Sequence, residues 1–221
     1  MNRISTLLLF LLLALLSGCS ALLPDPLTAE QHLAQAEAFK AKRDYAAAAD
    51  SLAKAIRKQP ADGSLHLQHG ELLEVAGMPE QARKTYRKGL ETIAGGDSSR
   101  PELNYRLLQL LTLKLSAPDE AEPLLTAISA GSVRHLDARG CLAYGRGRHQ
   151  EALQLFDQAR LQTTDQDLTA RILYHVALAY HQLGDDDHAM LALFHAINQA
   201  QSLGVSKDIE YFFNDLKGLT P

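Results

Sequence analysis

Apolar residues are spread along this chain in two different ways. Leu7 through Leu16 is an unbroken apolar run of ten residues, preceded by Arg3. From Thr28 onward the apolar residues are instead spaced three and four apart among polar ones, the period of helices with one buried face. The first pattern matches the charged start and short core of a secretory signal. It is too short to span a bilayer, which takes ~20 residues. Between the two patterns, Ser20 to Leu27 carries Pro24 and Pro26 and reads as a tether, since closely spaced prolines forbid a helix. Thr28 stands three residues before Gln31, the spacing of a capping box that opens the first helix.

Within the second region the pattern repeats. Lys42-Arg43-Asp44-Tyr45-Ala46-Ala47-Ala48 and Ala76-Gly77-Met78-Pro79-Glu80-Gln81-Ala82 align 34 residues apart. Around them Ala36, Phe39, Ala48, Leu52 and Ala55 correspond to Gly70, Leu73, Ala82, Tyr86 and Gly89. The pattern returns at Gly140, Ala143, Gly147, Ala152, Phe156 and Ala159, and again at Ala177, Tyr180, Gly184, Ala189, Leu193 and Ala196. Small residues on one helix let the next approach, and a large apolar residue fills the remaining space. Gly77, Gly147 and Gly184 suit the left-handed turn that ends the first helix of each unit. Glu80, Glu151 and Asp186 then open the second helices and complement their dipoles.

These residues resemble the tetratricopeptide repeat (TPR), a helix-turn-helix unit. The resemblance implies an all-α solenoid of about five helix pairs plus a C-terminal capping helix. Units are placed at about 29–62, 63–96, 133–166 and 170–203, within a repeat region of 28–203. Residues 101–130 form a degenerate unit: Tyr105 to Leu115 is one leucine-rich helix, and Asp119 to Ile128 is a candidate second. Ala82 to Ala121 is 39 residues and Ala121 to Ala152 is 31, which marks the irregularity. Gly95 to Pro101 is the longest loop-like run. It suits either a joint between two halves or a longer turn inside one solenoid, the reading preferred here. Lys207 to Leu216, within the last segment 204–221, reads as an amphipathic helix covering the open apolar end of the solenoid.

The junction Leu16-Ser17-Gly18-Cys19 resembles the lipobox of bacterial lipoproteins. That resemblance implies removal of residues 1–18, cleavage between Gly18 and Cys19, and covalent lipid on Cys19, leaving 19–27 as the lipidated tether. Several acyl chains hold a protein stably at a membrane. Ser20 follows the cysteine, which in the sorting rule of such lipoproteins implies the outer membrane, on its periplasmic face, rather than the inner one.

Composition narrows the chemistry. Hydrophobic residues at 46% and charged residues at 22% fit a packed chain. With 22 basic and 26 acidic side chains the net charge is −4, and −5 once Arg3 is removed, so nucleic acid is not the expected partner. Two cysteines exclude a disulfide framework. Cys141 reads as a sequestered thiol, because His135, six residues away, shares no motif with it. His66 and His69 lie three apart but lack further ligands on their helix, and read as surface histidines. His175, His181, His188 and His195 crowd the last unit, the first pair on one helix and the second pair on the next. No catalytic or nucleotide motif is present, so no catalytic residue, metal or cofactor beyond the lipid is expected.

In the repeat family the first helix of each unit lines a concave face that grips protein or peptide partners. By alignment that groove comprises Glu37, Lys40, Leu67, Glu71, Glu74, Arg134, Asp137, Tyr144, Arg171, Tyr174, His175 and His181. Its early part is acid-rich, and Arg134 and Arg171 bring positive charge later. The expectation is a non-catalytic envelope scaffold that assists assembly of a pilus or secretion machine. The alternative is an adaptor for peptidoglycan hydrolases.

Overall fold

The computed structural model describes residues 25–202. The signal segment, the Gly18–Cys19 junction, most of the tether and the expected capping helix lie outside the described residues. Ten α-helices and one 3-10 helix follow in order, with no strand among the described residues. They are α1 (Ala29–Ala41), α2 (Tyr45–Lys58), α3 (Gly63–Val75), α4 (Pro79–Thr92), α5 (Arg100–Leu113), α6 (Pro118–Ala121), the 3-10 helix (Glu122–Ala127), α7 (Val133–Gly145), α8 (His149–Gln162), α9 (Gln166–Gln182) and α10 (Asp186–Ser202). None is long and apolar enough to cross a membrane.

Helix starts follow local chemistry. Thr28 and Gln31 form the reciprocal capping box at α1. Asp44, Asp62, Ser132 and Asp165 accept orphan backbone N–H groups at α2, α3, α7 and α9. The first helices end alike. A residue with positive φ follows each of them: Arg43 (59°), Gly77 (72°), Ser116 (50°), Gly147 (73°) and Gly184 (77°). Three are glycines, to which the left-handed region costs nothing; Arg43 and Ser116 bear a side chain there.

Counting back seven residues from each turn gives Ala36, Gly70, Gln109, Gly140 and Ala177. Four are small, and here the second helix comes closest. A Cβ on Gly140 would stand 2.4 Å from the Phe156 ring. Ala36 and Leu52 are both buried, as are Ala177 and Leu193. Burying each large side chain is worth about 1.5–3 kcal/mol. In the third unit the small residue is replaced by Gln109. The helix expected over 119–128 is there only as the single turn α6, running on as a 3-10 helix. Pro123 also lacks a donor, so a regular helix is unsupported.

The units stack into a TPR-type solenoid. Successive helices pack as hairpins, and each hairpin packs on the next. The first helices also touch one another directly, α3 on α5, α5 on α7, and α7 on α9. The Gly95–Ser99 turn is fastened from beneath: Arg100 donates to the carbonyls of Leu90 (2.8 Å) and Ile93 (3.0 Å) at the end of α4. Buried α5, with Leu103, Leu107, Leu108, Leu110 and Leu111, is the middle of the core. Met190, Leu191 and Phe194 on α10 are exposed.

Candidate functional site

The row of first helices, α1, α3, α5, α7 and α9, carries polar groups from repeat to repeat. At its centre Arg106 of α5 is buried, with Nε 3.3 Å from Glu71 Oε1 and Nη2 3.6 Å from Glu74 Oε1, both on α3. Its Nη1 donates to Gln109 at 3.3 Å. Burial works against the Arg106 charge, but Glu71 and Glu74 outweigh it and push its pKa well up. Burial pushes the Glu74 carboxyl up, opposed by Arg106 and by the Tyr86 hydroxyl, which donates to it at 2.5 Å.

The row continues with Arg134 of α7, whose Nε lies 3.0 Å from Glu102 of α5. Arg171 meets Asp167 at 3.2 Å on α9. Partial burial and Asp165 push the Asp167 carboxyl up, while Arg106 holds it down. Asp167 on α9 thus stands within electrostatic reach of Arg106 on α5 and Glu71 on α3. The positive charge expected at Arg134 and Arg171 is therefore met by Glu102 and Asp167, and a simple acidic-to-basic split is not what the face presents.

The other proposed groove residues divide into surface and interior. Glu37 and Lys40 are paired with each other at 3.2 Å. Leu67 is half-buried against the core. Tyr144 is half-buried, packs edge-on to His149 at 5.1 Å, and bonds Gln182. His181 lies 2.7 Å from Asp186. Asp137, Tyr174 and His175 are a correction to the groove: all three are buried and present no surface to a partner. Alignment placed them on the right helices, but their side chains turn into the contacts between helices.

Asp137 gathers the strongest of these contacts. Its Oδ2 accepts from the Tyr105 hydroxyl (2.7 Å) and the Gln109 amide (3.2 Å) of α5. Its Oδ1 lies 2.8 Å from His175 Nδ1 of α9. Cys141 Sγ is 3.8 Å from Asp137 Oδ2 and 3.9 Å from that same Nδ1. One carboxyl thus joins three repeats. Sequence spacing offered Cys141 no partner, His135 sharing no motif with it; the fold brings it to His175.

His66 and His69 also depart from the expected surface placement. His66 is buried, and its Nε2 donates to the Pro60 carbonyl at 2.9 Å. His69 is half-buried, with Nδ1 3.3 Å from the Thr85 hydroxyl. Burial first, and His66 second, hold its pKa down to about 4 from the ordinary 6.5. The unfolded chain therefore binds a proton that the folded chain refuses between these values, and stability falls as pH drops through that window. The contribution of His69 to that loss approaches about 2–3 kcal/mol near pH 4. Glu74, pushed the other way, offsets part of it. Urea midpoints at pH 7 and 4.5 should differ less in His69→Gln than in the parent; equal differences would contradict this assignment.

Residues 101–130, unaligned in the sequence, supplied Glu102, Tyr105, Arg106 and Gln109. The turn from which Gln109 and Arg106 can be counted back lies at Ser116, where the structure, not a glycine, marks it.

Comparison with known proteins places this geometry. A tetratricopeptide repeat family model matches residues 33–98 and 138–202, more than half of the chain. No curated protein sequence matches. Among solved structures, MamA from residue 41 to its end, of Desulfovibrio magneticus RS-1, is 17% identical with a TM-score of 0.51, over 79% of this chain and 96% of that one. Pseudomonas aeruginosa PilF is 16% identical with a TM-score of 0.50, over 87% and 92%. The Cut9–Hcn1 complex of the APC/C is 18% identical with a TM-score of 0.57, over 86% of this chain and 37% of that one. At these identities the likeness is one of fold.

Proposed function

The chain belongs to the tetratricopeptide repeat family, whose members bind protein or peptide partners, and from that premise we propose a non-catalytic, lipid-anchored scaffold that helps assemble a pilus or secretion machine. It would sit on the periplasmic face of a bacterial outer membrane, held by lipid on Cys19. The observation that carries the binding role is the charged row of first helices, with Arg106 held among Glu71 and Glu74 and continued by Glu102, Arg134, Asp167 and Arg171. Fixed, partly desolvated charges of both signs select a partner by complementarity and set its register. The carboxylates of Glu71 and Glu102 remain partly exposed beside their arginines, so a partner segment bearing cations can add to each pair.

The lipobox-like junction is the support for the anchor. The fold shared with PilF over most of both chains is the reason to put pilus or secretion assembly first. A photo-crosslinker placed at position 71 in the native envelope tests the reading. A pilus or secretin component should be captured, and Glu71→Lys beside a crosslinker at 67 should cut the yield about tenfold, equivalent to about 1.4 kcal/mol. Capture of a peptidoglycan hydrolase instead would replace this reading with the adaptor for cell-wall enzymes. Cys19→Ala should release the protein from the membrane fraction; unchanged fractionation would remove the anchor.

A further inference from the structure

The donor atoms of Asp137, Cys141 and His175 all lie within 4.8 Å of one another, and all three residues are buried. Asp137 and Cys141 stand four apart on α7 and so share one face of it. His175 reaches them from α9, its ring set against Phe156 of α8 at 5.3 Å between centroids. The Asp137 carboxyl has Tyr105, Gln109, Cys141 and His175 as its hydrogen-bond partners, and none of these is a lysine or arginine. The nearest base is the His175 imidazole, which pairs with the carboxyl as an ion only when protonated; a bound cation in contact with a buried carboxylate relieves its desolvation cost permanently.

We propose that Asp137, Cys141 and His175 form a buried site for a divalent metal ion of the zinc class, clamping α7 to α9. The proposal is independent of the partner-binding role. The donor set selects the ion: a thiolate sulfur and an imidazole nitrogen favour zinc and its neighbours over magnesium or calcium, which prefer oxygen alone.

Charge balances on binding. The thiol of Cys141 loses its proton to solvent, and sulfur bonds the ion. His175 gives up the Nδ1 proton that faces Oδ1 to solvent, keeps or takes one on Nε2 so that the ring is neutral, and gives the Nδ1 lone pair. Asp137 gives Oδ1. One thiolate, one carboxylate and a divalent ion sum to zero, so no net charge is left in the core. The thiol must shed its proton for sulfur to bond the ion. Binding is accordingly weaker in acid, where the proton competes.

Distances agree with this. Bonds of ~2.0–2.3 Å at tetrahedral angles put ligand atoms about 3.3–3.6 Å apart. Sulfur lies 3.9 Å from Nδ1, slightly wide, and 3.8 Å from Oδ2, the other oxygen of the same carboxyl, so the carboxyl must turn a little to bring Oδ1 into place. Nδ1 and Oδ1, at 2.8 Å, must part by about 0.5 Å, since the ion takes the place of the proton between them. Tyr105 and Gln109 hold the other carboxyl oxygen and steady it, as outer partners of metal ligands do. Three protein donors leave the fourth position of a tetrahedral ion open.

Cobalt is the probe, because a thiolate bound to tetrahedral Co2+ gives a near-ultraviolet charge-transfer band and intense visible bands. The full chain carrying Cys19→Ala has Cys141 as its one thiol. Reduced, stripped with chelator and titrated with Co2+, it should develop both sets of bands at one equivalent and lose them to Zn2+. Zn2+ at a hundred times its dissociation constant should raise the melting temperature by about 5–10 °C. His175→Gln should weaken Co2+ affinity by at least about tenfold, and Cys141→Ser should abolish the charge-transfer band. No thiolate band with excess Co2+ overturns the proposal. So does metal uptake without the band, as at exposed histidines such as His188. The parent spectrum decides the matter even if a variant fails to fold.

Discussion

Asp137→Ala is expected to lower the unfolding free energy by about 3–5 kcal/mol, measured by urea unfolding in the presence of a chelator. The side chain lost is small, so the cavity is a minor part of this. The larger part is what remains. The Tyr105 hydroxyl, the Gln109 amide and the His175 imidazole each lose the acceptor they hold at 2.7, 3.2 and 2.8 Å. Each orphaned buried group costs about 1–3 kcal/mol, and neighbours can take over only part. Against a total of about 5–15 kcal/mol the change is severe. Asp137→Asn keeps an acceptor oxygen and should cost about half as much. Because the carboxyl ties α5 and α9 to α7, hydrogen exchange should rise in all three helices together. If Asp137→Ala unfolds at the parent's urea concentration, the cluster is not what joins these repeats.

Gly70→Val is expected to cost about 3–5 kcal/mol through a different cause. A Cβ at Gly70 would stand 2.0 Å from Tyr86 Cε1 and 2.4 Å from Cζ. Tyr86 is fully buried, so its ring has no free space to enter. Either α3 and α4 move apart or the ring leaves, and in both cases its hydroxyl loses Glu74. Overpacking of this kind costs about 1–3 kcal/mol, and the lost charged hydrogen bond adds about 1.5–3. Tyr86→Leu should make room. The double variant should therefore be more stable than the sum of the two single losses by about 1–3 kcal/mol. Simple additivity would mean that the two residues do not meet.

How much of this was legible depends on the residue. The small residues at 70, 140 and 177 each stand seven before the turns at 77, 147 and 184, and Ala36 aligns with them, because a close helix crossing and a left-handed turn each admit few residue types. Arg106 and Gln109 were not legible in the same way. In their unit Gln109 stands where the others have a small residue, and Ser116 where they have mostly glycine, so the repeat register fades just where the central charge lies.

Alignment put Glu71, Arg134 and Arg171 on first helices, and they do lie on the charged row. It could not separate them from Asp137, Tyr174 and His175, which sit on the same helices but face inward. A helix period tells which residues share a face; it does not tell how far the next helix reaches across that face. The sequence by itself determined the repeat, its all-helical class and its turns, since these rest on local backbone and packing rules. Only the tertiary structure decided that Tyr105, Gln109, Asp137, Cys141 and His175 converge. Their contacts span 28 to 38 residues of chain between units of unequal length, and stacking angles between units, not local pattern, set which side chains meet.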